Sequence, residues 1–211
     1  MEAAETMERL SALLKEAGQP QLREETAARF AEYLSLYIRW NARVNLSAIR
    51  DAVDVLSIHV IESIIVSNNL PHGLRSLLDF GSGAGLPGIP IALCRPEMAV
   101  TLAESQGKKA AFLQEAVRAL QLQTKVYSGR AETIKDRFDC VTLRAVDRME
   151  RAVAVAAGLV GPSGWLAPVT TRMELPKIEA AAGGDFSFAD PVALPGSRQR
   201  VLALAQRRGG S

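Results

Sequence analysis

Leu78-Asp79-Phe80-Gly81-Ser82-Gly83-Ala84-Gly85-Leu86-Pro87-Gly88 is the stretch on which the reading of this chain turns. The apolar run from Ser76 to Phe80 predicts a strand, and Gly88 to about Cys94 predicts a short helix. Between them Gly81, Gly83 and Gly85 stand at alternate positions. Glycines let the main chain turn sharply and let a ligand approach it closely. Pro87 stands where a first-turn proline is favoured, so the free N–H groups of a helix start would face that ligand. A tight turn with no ligand needs fewer glycines than this.

Working outward, short apolar runs alternate with helical patterns. Strands are predicted at Ala99 to Ala103, Lys125 to Ser128, Phe138 to Leu143 and Trp165 to Val169. Helices are predicted at Lys108 to Leu120 and from about Asp147 to Leu159. Met173 to Ala182 reads as helical, with Pro176 in its first turn or at its end. Val192 to Leu194 and Arg200 to Ala205 would close the sheet as two more strands, and Gln206 to Ser211 reads as disordered. The alternation implies an α/β, Rossmann-like fold: a mostly parallel seven-stranded sheet with helices on both faces. Before it, Met7, Leu10, Leu13 and Leu14, then Phe30, Leu34, Tyr37 and Ile38, recur at helical spacing. A third helix is expected from Asp51, a candidate N-cap, to about Asn68. The expected division is a helical extension over 1–72, a core over 73–207 and a tail over 208–211, in one compact unit.

A carboxylate supplies the second half of a ligand site. Glu104 ends the second strand, 23 positions after Gly81. There it can accept hydrogen bonds from both ribose hydroxyls of an adenosine ligand, and ligands of open parallel sheets sit at the carboxyl ends of strands. Gly83-Ala84-Gly85-Leu86-Pro87-Gly88 also matches the dinucleotide pattern GxGxxG, which alone is weak. Asp79, just before the glycines, would repel a pyrophosphate but suits a sulfonium or ammonium cation. The dinucleotide fingerprint also normally opens its domain, whereas a long helical region precedes it here. S-adenosylmethionine is therefore the expected cofactor, with NAD as the rival.

Composition bounds the rest. The chain has 211 residues, with 25 basic and 23 acidic side chains and a net charge of +2. That is not the balance of a strongly basic nucleic-acid binder, so any RNA contact needs a local basic surface. Cys94 and Cys140 are far apart in apolar contexts and read as buried hydrophobes. With no CxxC pair and only His59 and His72 as histidines, no metal is expected. The acidic start Met1 to Leu14 lacks a secretory pattern, and no apolar run reaches membrane-spanning length. A cytoplasmic location without membrane contact is expected.

The segment from Leu78 to Pro90 resembles the signature of the RsmG (GidB) family of bacterial methyltransferases. The similarity continues at Glu104 to Leu113, at Gly129-Arg130-Ala131-Glu132 and at Arg144-Ala145-Val146. Trp40 to Ile49 resembles the family's Asn-Leu-Thr segment, and His59-Val60-Ile61-Glu62-Ser63 its His-x-x-Asp-Ser segment. The resemblance covers about residues 30 to 150. Two departures follow it. Val169-Thr170-Thr171-Arg172 stands where a Lys-Gly pair is expected, and Gly196-Ser197-Arg198-Gln199 keeps the arginine of Gly-x-Arg-His without the histidine. Both bear on RNA contacts more than on the cofactor.

The resemblance implies a class I S-adenosylmethionine-dependent methyltransferase fold. It also implies transfer to guanine N7 at position 527, in the 530 loop of 16S ribosomal RNA. Asp79, Gly81, Gly83, Gly85, Leu86, Glu104, Ala131, Glu132 and Arg144 would line or hold the cofactor, and Arg144 would lie beside the transferring methyl. RNA contacts would come from Arg130, Arg144, Arg198, Lys108 and Lys109, with Arg39, Arg43 and Arg200 as further phosphate candidates. Lys108 and Lys109 start a helix, where positive charge opposes the dipole, which suits an anionic partner. Guanine N7 carries no proton, so no general base is expected and Arg144 would orient rather than titrate. The partner would be 16S RNA or a small-subunit precursor, met by a monomer. Two alternatives remain at this point: a methyltransferase of another substrate class, and a non-catalytic S-adenosylmethionine-binding protein.

Overall fold

The structure, a computed structural model, describes residues 1–195 and 199–209. Five strands form its parallel centre: β1 (Ser76–Phe80), β2 (Ala99–Glu104), β3 (Lys125–Ser128), β4 (Phe138–Arg144) and β5 (Val160–Thr171). Helices α5 (Gly88–Cys94), α6 (Gly107–Ala119) and α7 (Met149–Leu159) connect them, and α8 (Leu175–Ala182) follows β5. The strand order is β3-β2-β1-β4-β5-β8-β7, where β7 is Val192–Ala193 and β8 is Arg200–Leu202. The chain runs outward from β1 in one direction and then returns to its other side at β4. The crevice where the order reverses is the place such sheets bind ligands.

Alternation of side chains gives each strand two faces. Leu77, Leu102, Cys140 and Ala167 join one core cluster, and their neighbours Leu78, Ala103, Val141 and Leu166 join the other. The first cluster also takes Phe112 and Leu113 of α6 and the N-terminal helices α1 (Ala3–Glu16) and α2 (Glu24–Val44). The second takes Val153, Ala156 and Ile178 of α7 and α8. The third N-terminal helix is built in three pieces: α3 (Ala52–Asp54), a π-helical turn (Val55–Val60) and α4 (Ile61–Asn69). Asp51 caps it, its carboxylate accepting from Val53 N (2.9 Å) and Asp54 N (3.1 Å).

The C-terminal part departs from expectation. β5 begins at Val160, not Trp165, running through Gly161-Pro162-Ser163-Gly164, a stretch with the composition of a turn. Its two halves have different partners. Val169 to Thr171 pair antiparallel with β8, whereas Trp165 and Leu166 pair with β9 (Ala205–Arg207). An additional strand, β6 (Phe186–Phe188), pairs with β9. Thus Gln206 and Arg207 are ordered, not part of a disordered tail: Arg207 stacks over Phe186 at 4.9 Å and lies 3.8 Å from Asp185. Helix α7 starts two residues later than expected because Ala145 and Arg148 hold left-handed conformations, at φ 51° and 52°. Among the described residues no helix is long and apolar enough to cross a membrane.

Candidate active site

Three neighbouring strands deliver the site. β1 ends in the glycine loop, β2 in Glu104 and β4 in Arg144. They border a cleft of about 410 Å³ whose walls include Gly81, Gly83, Leu86, Glu104, Lys109 and Arg144. That volume is within the range of small-molecule sites, roughly 300–1,000 Å³.

The loop is held before any ligand arrives. Ser82 N donates to Ala103 O (2.9 Å), and Gly85 N to Ser82 O (2.7 Å). Gly83 N donates to Glu104 Oε2 (2.9 Å), while the other oxygen of that carboxylate accepts from Gln106 N (2.7 Å). Tyr33 of α2 reaches in from the helical region, its buried hydroxyl donating to Ala84 O at 2.7 Å. A Cβ at Gly83 would meet only a carbonyl oxygen at 3.9 Å, so the main chain there is open. At Gly81 (φ 73°) it would lie 2.6 Å from Val146 Cγ1.

Asp79 and Gly85 face away from the cleft. Asp79 is 1% exposed, and its Oδ2 accepts from Gly88 N at 3.1 Å. Gly88 N–H is therefore spent inside the protein and is not a ligand donor, and Pro87 caps α5 from outside its first turn. Burial raises the Asp79 carboxyl to about 7, partly offset by the Gly88 N–H. Gly85 turns toward Ile89 and Leu113, so it serves the packing of the loop. Ala131 and Glu132 sit in a 3-10 turn (Ala131–Thr133), Ala131 buried and Glu132 exposed; Arg130 and Lys108 are exposed. None of these six lines the cleft. Arg198 lies outside the described residues.

Behind the cleft lining lies a charge cluster whose centre, Glu62, was not among the candidate residues. Glu62 is fully buried. Its Oε1 lies 2.9 Å from Arg144 Nε and accepts from Arg200 Nη2 at 2.8 Å. Arg144, 8% exposed, also places Nη2 2.6 Å from His59 Nδ1. Burial lowers His59 to about 4, and the two arginines push the same way. Burial raises Glu62 despite those arginines, and lowers Arg144 against the pull of Glu62. Leu46, Ser47, His59 and Arg200 also line the cleft. One carboxylate thus faces two guanidiniums beside a neutral imidazole, and the cleft lining adds the cation of Lys109 and the acids Glu104 and Asp147. The sequence signal for this cluster was the His59-x-x-Glu62 spacing, but its partners lie 85 and 138 positions away. Among the described residues no cluster of His, Cys, Asp or Glu could hold a metal ion.

The family model GidB, described as rRNA small subunit methyltransferase G, matches residues 26–182. This chain belongs to the GidB family. Relatives named Ribosomal RNA small subunit methyltransferase G include one from Xanthomonas euvesicatoria pv. vesicatoria, 36% identical over 87% of each chain. Another, from Stenotrophomonas maltophilia, is 40% identical over 78% of each. Among solved structures, a SAM dependent methyltransferase from Aquifex aeolicus superposes with a TM-score of 0.58 at 16% identity, covering 73% of this chain and 93% of that one. P. horikoshii TYW2 in complex with MeSAdo gives 0.59 at 14%, covering 72% and 63%. These likenesses show the class I methyltransferase fold.

Proposed function

We propose that this chain transfers the methyl group of S-adenosylmethionine to N7 of a guanine in small-subunit ribosomal RNA, at position 527 in the 530 loop of 16S RNA. The observation that carries the reading is the meeting of the open main chain at Gly83, the Glu104 carboxylate and the Arg144 cluster in one cleft.

The donor set fits an adenosyl ligand. Glu104 is fixed by two N–H groups with lone pairs left for ribose hydroxyls. Gly81, Gly83 and Leu86 supply main chain and apolar wall, and Asp79 and Gly85 support the loop from behind. When bound, the cofactor supplies an electrophilic methyl on a cationic sulfur. The side chains need only position the acceptor, because guanine N7 has a lone pair and no proton to remove. In-line approach to roughly 3–3.5 Å is the main requirement. Arg144 cannot swing freely, being held by Glu62 and His59, so it orients the base or its phosphate as a fixed donor. Lys109 at the cleft and the exposed Lys108 and Arg130 would meet RNA phosphates, with Arg198 as a further candidate from the sequence. N7 is unreachable in the deep groove of A-form RNA, so the acceptor must be unstacked from a loop. The partner is 16S RNA or its precursor, met by a monomer in the cytoplasm.

Mass spectrometry of 16S RNA from a deletion strain tests the reading. One 7-methylguanosine should disappear and return with the gene; an unchanged level would rule the function out.

A further inference from the structure

We propose that His59 reads O6 of the acceptor guanine through a hydrogen bond donated by its Nε2–H, and so selects guanine over purines with no acceptor at that position. The inference rests on the guanine-N7 reading above and assigns one of its specificity contacts.

Guanine presents two groups on the edge that carries N7, and both are acceptors: N7 and O6. N7 must stay free to take the methyl. Recognition along that edge therefore falls to a donor placed for O6. Adenine puts an amino donor in the same place, so a fixed donor there also rejects adenine.

The lining of the cleft contains such a donor. A guanidinium has only N–H donors, so Arg144 Nη2, 2.6 Å from His59 Nδ1, makes that nitrogen the acceptor. The neutral ring then carries its proton on Nε2. Nε2 is 3.5 Å from Ser47 Oγ, beyond the usual span of roughly 2.7–3.2 Å, so this N–H is largely unspent. His59 and Ser47 both line the cleft. The surroundings are fixed: Ser47 N donates to Asn41 Oδ1 (2.9 Å), Ile49 N to Ser47 Oγ (3.2 Å), and Ser63 Oγ to His59 O (2.7 Å). The arginines are less suited to reading O6, because Arg144 Nη2 and Arg200 Nη2 are engaged with His59 and Glu62. A pKa of about 4 keeps the ring uncharged at neutral pH. Neutrality matters here, since an imidazolium would oppose the positive charge that appears on the base as the methyl arrives.

The test uses the full chain, S-adenosylmethionine and ligated small-subunit RNA. The target nucleotide is guanosine, inosine (which keeps O6) or 2-aminopurine riboside (which keeps N7 and lacks O6). Wild type should methylate guanosine and inosine at similar rates and 2-aminopurine at least about tenfold more slowly. His59→Ala should slow guanosine about tenfold and bring the guanosine and 2-aminopurine rates together. His59→Gln, which can accept from Arg144 and still donate, should restore most of the preference. Calorimetric titration with the cofactor reports whether each variant is folded. Equal wild-type rates on guanosine and 2-aminopurine, or a preference that survives in His59→Ala, would overturn the inference. No methylation of guanosine RNA by wild type would instead overturn the function on which it rests.

Discussion

Asp79 and His59 are both pushed away from their ordinary titration ranges by burial, in opposite senses for stability. Asp79 goes from 3.8 to about 7, so the folded state holds a proton that the unfolded chain releases. Its contribution is present below pH 3.8 and is lost as pH rises toward 7. His59 falls from 6.5 to about 4, so its contribution is present above pH 6.5 and is lost as pH falls toward 4. The two slopes oppose each other across the same window, and the wild-type curve conceals both. Asp79→Asn separates them, because an amide keeps an acceptor for Gly88 N–H and cannot ionise. The variant's melting temperature relative to wild type should rise between pH 4 and pH 8. A difference that stayed flat across this range would show that the carboxyl does not titrate there.

At the scale of elements, the glycine loop ties α5 and α6 to the sheet through contacts with no spare room. An alanine Cβ at Gly85 would lie 2.4 Å from Ile89 Cδ1 and 3.1 Å from Leu113 Cδ2, at φ 82°. Overpacking and a left-handed backbone together should cost about 3 kcal/mol. Gly18, at φ 64° with nothing within 4 Å, should cost only about 1 kcal/mol on the same change. Denaturant melts of the two variants check the order, and equal losses would mean that packing at Gly85 is slack. The loop and the first four strands could be read from the sequence because each is a short apolar run ending in turn residues, so local pattern decides them. β6 and β9 could not. Phe186-Ser187-Phe188 is too short to show a period, and Ala205-Gln206-Arg207 is strand only because β5 offers it an edge. Glu62 could not be picked out as a site residue for the same reason: the arginines that define it come from β4 and β8, far along the chain.

For the molecule as a whole, the N-terminal helices form part of the site. Leu46, Ser47 and His59 line the cleft, and Tyr33, packed edge-on to Tyr37 at 6.3 Å, holds the glycine loop through Ala84 O. Tyr33→Phe removes that hydroxyl and leaves a buried carbonyl unsatisfied. It should cost about 1–2 kcal/mol of stability and weaken S-adenosylmethionine binding severalfold. Calorimetry and a denaturant melt would show this, and a variant matching wild type in both would sever the link between helices and loop. The Glu62 cluster has a consequence at this scale too. With a total charge of +2, the exterior exerts little pull at a distance, and the guanidiniums of Arg144 and Arg200 sit recessed around the buried carboxylate of Glu62. A polyanion would then meet those two cations at short range, once a strand had entered, where mobile ions screen poorly. Such a protein would sort its partners by what can be threaded inward, not by what drifts past its surface.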